Sequence, residues 1–538
     1  MHFNVADLFE SLADAFPDRL ALVSGSARLT FRALEERANR FAHALVARGV
    51  GPGDHVGLHL YNGAEFVEAM LGTFKVRAVP ININYRYVQE ELAYLFDNAD
   101  VVAVVHQREL APLLADVAPR LPKLRTIIAV DDGSGADLGP TRSEPYERVL
   151  ADSSPARDFA ERSGDDLYII YTGGTTGMPR GVMWRHHDVF FAGLQGGNPG
   201  GTPIERPEDL VQSVKDRGEP MTMLPAAPFI HGAAQWGALI GMFTGGKVVV
   251  QPGRSFDAKV ACKLVEDERV NTMTLVGDAM ARPIVDALRE PGASYDMSSL
   301  VVIASAGAVL SDSVKEDLQA LLPDTMVLNN FGASETGHQG SAFPGGDPAE
   351  RGKPRFYMDD TTTVLGDDDK PIAPGSGVVG RLARRGRLPL GYYKDEAKTA
   401  ATFLVLDGER WVVPGDLATI ESDGQITVFG RGAVCINTGG EKVFPEEVEV
   451  ALKAHPAVLD AVVVGVPDER WGQRVAALVL PRPGTSPTFA ELDAHCRKHV
   501  AGYKVPRQIK IVADLERHPS GKPDYRWARD EAMRPDAT

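Results

Sequence analysis

The sequence predicts an α/β protein: a large N-terminal domain of parallel, helix-covered sheets with a small antiparallel β-barrel, followed by a small α+β C-terminal domain. Three observations predict this. Strand-like and helix-like stretches alternate through residues 20–150 and again through 247–330, the order of a parallel sheet with helices on both faces. Residues 351–429 change to short strands divided by turns such as Gly366-Asp367-Asp368-Asp369 and Ser422-Asp423-Gly424, an antiparallel style. After Arg431 the pattern returns to mixed helices and strands. We therefore expect a boundary near residue 430, giving domains 1–430 and 431–538; 538 residues are enough for more than one domain.

In chain order, Val5, Leu8, Phe9, Leu12 and Phe16 fall at helical spacing behind a candidate cap at Asn4, a docked surface helix. Residues 20–23 and 28–30 read as a hairpin turning at Gly25. Residues 31–48 form an amphipathic helix that stops at Gly49; 55–60, 78–83 and 101–105 are strands, and 64–76 and 90–98 helices. Residues 131–145 are a surface loop. An apolar run at 167–171 is a buried strand, and 182–194, mostly apolar, suits a helix. Residues 196–220, rich in Gly, Pro and charge, read as a cover over a site or as a surface insertion. Strands follow at 247–250, 271–276, 300–304 and 326–329, with helices at 256–267 and 311–322. Three of these strand ends carry Gly277-Asp278, Ala306-Gly307-Ala308 and residues 332–337, the position where parallel sheets bind ligands. In the last domain Pro445 opens a helix over 446–453. Strands at 458–466, 475–479 and 508–512 surround a helix at 489–500, before a loop with Ser520-Gly521-Lys522-Pro523.

Composition excludes several classes. Net charge is −16, from 57 basic and 73 acidic residues, so a general nucleic-acid binder with a basic face is not expected. An anionic substrate must then be held by local groups. The three cysteines, Cys262, Cys435 and Cys496, are far apart and read as small buried hydrophobes in a reducing compartment rather than as a zinc site. The start of the chain has no signal-peptide pattern, and no apolar run reaches the ~18 residues of a membrane span. These readings predict a cytoplasmic protein.

The stretch with the clearest chemistry is Tyr-Thr-Gly-Gly-Thr-Thr-Gly-Met-Pro-Arg-Gly, residues 171–181. Its four glycines allow backbone N–H groups to line a concave nest for an anion. Thr172, Thr175 and Thr176 add hydroxyls, and Arg180 adds a permanent positive fork for phosphate oxygens. No Walker A spacing fits over it. By itself such a loop is an ordinary Gly/Thr turn; the paired threonines and the Pro-Arg-Gly end favour a polyphosphate.

With Phe331-Gly332-Ala333-Ser334-Glu335, Pro414-Gly415-Asp416, Gly430-Arg431, Thr438-Gly439-Gly440-Glu441-Lys442 and the Ser-Gly-Lys-Pro-Asp-Tyr-Arg-Trp ending, the chain resembles the adenylate-forming superfamily across its whole length. That superfamily holds acyl-CoA synthetases, peptide-synthetase adenylation domains and beetle luciferases. The chain looks closest to the actinobacterial fatty-acid and steroid-side-chain CoA ligases. The resemblance implies a reaction in two halves. A carboxylate first attacks the α-phosphorus of Mg-ATP to give acyl-AMP and pyrophosphate; the thiolate of coenzyme A then displaces AMP. It implies a mobile C-terminal domain that swings about a hinge near Val434, and homodimers are common among its members.

The resemblance also implies roles. Thr172, Gly173, Gly174, Thr175, Thr176 and Gly177 would hold the β- and γ-phosphates, with Arg180 beside them and Thr175 near the metal. Gly173 stands where Ser is common and Arg180 where Lys is common. Phe331 would stack on adenine, with Gly332, Ser334, Gly307 and Ala308 around the nucleotide. Glu335 would bind Mg2+, a hard cation that takes carboxylate oxygen. Asp416 would accept from the ribose hydroxyls and Arg431 would contact ribose or phosphate. Lys522 would be the catalytic lysine of the adenylation half, stabilising charge at the α-phosphate. Gly439 and Gly440 would face the pantetheine of coenzyme A. His231, in Pro-Phe-Ile-His-Gly, would gate the acyl tunnel, with a core histidine as its rival reading; His186 and His187 read as structural. Taken one at a time, Glu335 is a loop acid, Asp416 a turn residue and Lys522 a solvated lysine; only the set carries the roles. Amino-acid adenylation domains carry an Asp near the gate motif and this chain has no acid there, so the resemblance implies a non-amino carboxylic acid. Gly232, Ala233, Ala234, Ala306, Gly307 and Ala308 are small; lining the pocket as the resemblance implies, they would make it roomy and apolar for a fatty or sterol-derived acid, with close packing of strands and helices as the rival reading. The alternative is an acyl-AMP ligase that loads a carrier protein.

Overall fold

The computed structural model describes residues 2–174, 177–308, 310–343, 355–431, 434–438, 441–468, 472–500, 502–517 and 523–534. Their strands form three sheets. In the longest, a parallel block runs in the order Leu20–Ser24, Lys247–Val250, Thr222–Pro225, Thr272–Leu275, Val302–Ser305 and Met326–Ala333. Ala27–Thr30 pairs antiparallel at its near edge. At its far edge Met326–Ala333 turns back into Gly337–Ala342, which leads through Arg355–Met358 to the antiparallel ladders of Ile426–Arg431, Asp416–Ile420 and Gly380–Arg384. The antiparallel region is thus continuous with the parallel one.

The second sheet runs Gly391–Tyr392, Gly177–Arg185, Leu167–Gly174, Val79–Asn82, His55–His59, Val101–Gln107, Thr126–Val130 and Glu144–Pro145. Val101 to His106 are all buried, the continuous pattern of a parallel strand covered on both faces. The helix Ala64–Lys75 is buried at every residue but Glu65. A Cβ on its Gly72 would lie 2.7 Å from the Ala38 carbonyl, so glycine sets how closely it crosses the helix Phe31–Ala47. Its Lys75 is fully buried yet paired, 2.5 Å from Glu10 and 2.8 Å from Glu35. The third sheet, Glu441–Val443, Ile436–Thr438, Gly472–Pro481, Val458–Asp468 and Gln508–Ile511, packs a core of its own with the helices Pro445–Lys453 and Phe489–Cys496.

Most elements fall where the sequence puts them, and the differences have physical reasons. Residues 182–185 are strand, not helix: Gly177–Arg185 pairs antiparallel with Leu167–Gly174, and only His186–Ala192 is helical. Val182 and Trp184 are fully buried while Met183 and Arg185 are not, a period of two hidden in a short apolar run. Residues 196–220 include a helix, Asp209–Asp216, whose Leu210 and Val214 join the main core. Gly277–Arg289 is helical although Pro283 lies inside it. Among the described residues no helix is long and apolar enough to cross a membrane.

Candidate active site

The phosphate stretch is a hairpin. Tyr171 pairs with Gly181, Thr172 with Arg180 and Gly174 with Gly177, with a register shift between Thr172 and Gly174. Thr175 and Thr176 lie outside the described residues. A Cβ on Gly181 would meet the Tyr171 ring at 2.6 Å, so this glycine makes room for the aromatic that precedes the loop. The Arg180 Nε donates to Asp395 Oδ2 at 2.9 Å. Burial would raise the Asp395 carboxyl, but the Lys398 N–H and the Arg180 guanidinium outweigh it and hold it below the usual carboxylate range.

A second hairpin stands beside the first. The expected nucleotide residues Phe331, Gly332 and Ala333 are strand, paired with Gly337–Ala342. The loop between holds Ser334 and Glu335. Close approach fixes two glycines here: a Cβ on Gly332 would sit 2.2 Å from the Gly337 carbonyl, and one on Gly337 (φ +72°) 2.5 Å from the Ala192 carbonyl. Phe331 is half-buried, its ring 5.3 Å from that of Phe356. Arg384, itself buried, donates to the Thr336 and His338 carbonyls and to Asp359, pinning the hairpin from behind.

The two hairpins are tied at Glu335. Its carboxylate is buried, and Tyr392 Oη donates to Oε1 at 2.9 Å. Tyr392 pairs through its backbone with Val182 of the phosphate hairpin. Trp184 of the same hairpin donates from Nε1 to the Ser334 carbonyl at 2.8 Å. Neither aromatic carries a motif; only the pairing of Gly391–Tyr392 with Gly177–Arg185 brings them here. Among the described residues no three His, Cys, Asp or Glu side chains could hold a metal ion together. The buried Glu335 carboxylate offers the hard oxygen donor that Mg2+ takes.

Other expected residues gather around these hairpins or lie apart from them. Gly307 (φ +81°) and Ala308 follow the strand Val302–Ser305, beside Gly277, whose N–H donates to Ser305 Oγ at 3.0 Å. Asp416 is half-buried and pairs with Arg431 across the antiparallel ladder. His231 occupies the cap of the helix Gly232–Phe243; its carbonyl accepts from Ala234 and Gln235, and its ring is not the capping group. His186 is buried, its Nδ1 accepting from the Val5 N–H at 3.1 Å, which ties it to the N-terminal helix. Gly439, Gly440 and Lys522 lie outside the described residues.

The sequence reading missed a charged face on the helix Pro445–Lys453, on which Glu449 and Lys453 are buried and Glu446 is half-buried. Glu446, Glu449 and Lys453 fall three and four residues apart on one side. The Glu446 carboxyl packs on Gly430, where a Cβ would meet Oε1 at 2.3 Å, and its Oε2 is enclosed. Desolvation, with Glu449 and Asp416 nearby, pushes this carboxyl up to about 8. Lys453 Nζ lies 3.5 Å from Asp278 Oδ2 and 3.8 Å from Asp460. Asp278 stands at one of the strand ends singled out above, and its Oδ1 accepts from Ser311 N at 2.8 Å.

A family model described as AMP-binding enzyme matches residues 9–393, and one described as AMP-binding enzyme C-terminal domain matches residues 447–522. A medium/long-chain-fatty-acid–CoA/3-oxocholest-4-en-26-oate–CoA ligase of Mycolicibacterium smegmatis is 49% identical over 535 residues, covering 98% of this chain and 96% of that protein. A 3-oxocholest-4-en-26-oate–CoA ligase of Rhodococcus rhodochrous is 49% identical, covering 99% and 97%. The medium-chain acyl-CoA ligase Mig of Mycobacterium avium is 43% identical, covering 99% and 98%. Among solved structures, the anthranilate CoA ligase AuaEII with anthranoyl-AMP superposes with a TM-score of 0.86 at 23% identity, covering 99% of this chain and 98% of that one. ATP-bound MatB from Rhodopseudomonas palustris gives 0.82 at 24% identity, covering 99% of each chain.

Proposed function

Because the chain belongs to the AMP-binding enzyme family, we propose that it joins a hydrophobic carboxylic acid to coenzyme A through an acyl-AMP intermediate, releasing AMP and pyrophosphate. One observation carries the nucleotide half: Tyr392, paired with the phosphate hairpin, donates to the buried Glu335 of the neighbouring hairpin. A polyphosphate and a carboxylate-bound cation are thereby addressed from one place. The acyl half draws support from the relatives, named as ligases of medium- and long-chain fatty acids and of 3-oxocholest-4-en-26-oate. A long fatty acid or a sterol-derived acid is the substrate class we assign.

The residue roles follow the chemistry each group can do. Thr172 to Gly177 would cradle the β- and γ-phosphates, and Arg180, steadied by Asp395, would lie beside them. Phe331 would stack on adenine with Gly332, Ser334, Gly307 and Ala308 at its edges. Asp416 would accept from the ribose hydroxyls, with Arg431 alongside. Glu335 would hold Mg2+, which when bound offsets phosphate charge. Lys522 would stabilise charge at the α-phosphate as the acid attacks. His231 would stand at the acyl entrance, and Gly439 and Gly440 would meet the thiol-bearing arm of coenzyme A. Residues 1–430 and 431–538 would be the two units that rearrange between the halves, about a hinge near Val434.

The test is AMP release with Mg-ATP, with and without coenzyme A, across short acids, long fatty acids and steroid-side-chain acids. CoA-dependent AMP with one acid class is the expected result. Pyrophosphate released without CoA-dependent turnover would replace this reading with carrier-protein loading.

A further inference from the structure

Asn82 ends the strand Val79–Asn82, whose last backbone partners toward the phosphate hairpin are Ile81 and Ile169. Beyond that pair the side chain takes over the ladder. Its Oδ1 accepts from the Tyr171 N–H at 2.8 Å and its Nδ2 donates to the Tyr171 carbonyl at 2.8 Å, so the amide pairs with Tyr171 as a peptide unit would. The second Nδ2 hydrogen goes elsewhere, to the Ile230 carbonyl at 2.6 Å. Ile230 precedes His231, and Tyr171 precedes Thr172. Asn82, Tyr171 and Ile230 are all buried, so none of these groups can fall back on water. The orientation is fixed by the network, since a flipped amide would set N–H against N–H at Tyr171.

We propose that Asn82 is a positioning residue of the ligase reaction: one side-chain amide locks the root of the phosphate hairpin to the backbone at the acyl entrance, so that polyphosphate and carboxylate are held in a single register. This rests on the function assigned above. No shorter device does the same work, because a two-group side chain would hold Tyr171 or Ile230 but not both. Asn62 supplies the contrast. It holds the same entrance segment from its other end, Nδ2 donating to the Ala227 carbonyl at 3.1 Å and Oδ1 accepting from Phe229 N at 2.8 Å. Neither of these two Asn62 bonds reaches the phosphate hairpin.

The experiment compares Asn82→Ala and Asn62→Ala with wild type in acid-dependent ATP–pyrophosphate exchange, reading kcat/KM for ATP and for the acid separately, with thermal unfolding to set the folded fraction. Loss of the Asn82 amide is expected to lower both values by about tenfold or more, and loss of the Asn62 amide to lower the acid value while leaving that for ATP unchanged. Asn82→Ser, which keeps one donor and one acceptor, is read the same way if the alanine variant does not fold. Identical profiles for the Asn82 and Asn62 variants, or a loss at Asn82 no larger than the unfolded fraction explains, would overturn the proposal with the ligase reading intact. A wild type without acid-dependent exchange would overturn that reading, and this one with it.

Discussion

At the scale of single residues, the site depends on groups that orient others. Glu335 is useful to a cation only if its carboxylate points consistently toward the phosphate hairpin, and Tyr392 Oη is a donor that aims it. A hydrogen bond to a charged acceptor contributes roughly 1.5–3 kcal/mol. Tyr392→Phe is therefore expected to slow acyl-AMP formation by about tenfold or more and to raise the Mg2+ concentration needed, while leaving the coenzyme A step from supplied acyl-AMP at its wild-type rate. Equal slowing of both steps would show that the hydroxyl matters only to folding. Lys522 makes the complementary case. Its proposed charge acts at the α-phosphate, so Lys522→Ala should cripple acyl-AMP formation, by about 100-fold or more, and spare thioester formation from acyl-AMP. Separate assays of the two half-reactions check this; matched losses would remove Lys522 from its assigned role.

At the scale of elements, what was legible in the sequence was whatever repeats or punctuates. A helix with a capping residue and a clean apolar stripe, such as Val5–Ala15 behind Asn4, falls close to where its residues say. The phosphate motif was legible, but its hairpin was not: nothing local distinguishes Val182-Met183-Trp184 in a strand from the same residues in a helix, and pairing with Leu167–Gly174 decides it. Asn82, Tyr392 and Trp184 were illegible for the same reason. Their partners lie 57 to 150 residues away, and no spacing rule reaches that far. The charged face of Pro445–Lys453 was hidden by its polarity, since Glu446, Glu449 and Lys453 read as a solvated side. Glu449 and Lys453 are buried instead, and that has a consequence for stability. Asp278→Ala leaves Lys453 with Asp460, at 3.8 Å, as its ion-pair partner among the described residues. Removing one member of a buried pair costs about 3 kcal/mol, whereas replacing both by apolar groups can cost little. Denaturant unfolding should show Asp278→Ala clearly destabilised and Asp278→Ala/Lys453→Met recovering part of the loss. Simple additivity of the two changes would show that the 3.5 Å approach carries no coupling.

At the scale of the whole molecule, buried histidines set the response to pH. His59 and His106 face each other across neighbouring strands, and both are fully buried. Burial, and for His59 the neighbouring His106, lowers His59 to about 3 and His106 to about 4, and His186 is held down by burial in the same way. A histidine whose folded value is depressed is neutral in the native state while the unfolded chain takes up its proton below about 6.5. Its contribution to stability is complete above that pH and is lost as pH falls toward the folded value. Glu446 works the other way: its folded value is raised to about 8, so its contribution is complete below the unfolded value of 4.5 and is lost as pH rises through about 8. Each group changes stability by at most about 1.4 kcal/mol per pH unit; between pH 6.5 and 5 these three histidines and His338, with His55, His187 and His495 also lowered, outweigh the raised carboxyls of Glu68, Glu446 and Glu449, and the protein should lose stability on acidification. His59 is the residue to test, because neither ring nitrogen has a hydrogen-bond partner and no network is lost with it. His59→Leu removes a buried polar ring without emptying its space, and is expected to be at least as stable as wild type at pH 7. Its advantage should grow by about 2 kcal/mol between pH 7 and pH 5, seen as a smaller fall in Tm over that range. Parallel Tm profiles for the two proteins would mean that native His59 takes up its proton as readily as the unfolded chain does, and the acid sensitivity would then have to come from carboxylates such as Asp100, held at about 2 by Lys123 and Lys394 against the pull of burial.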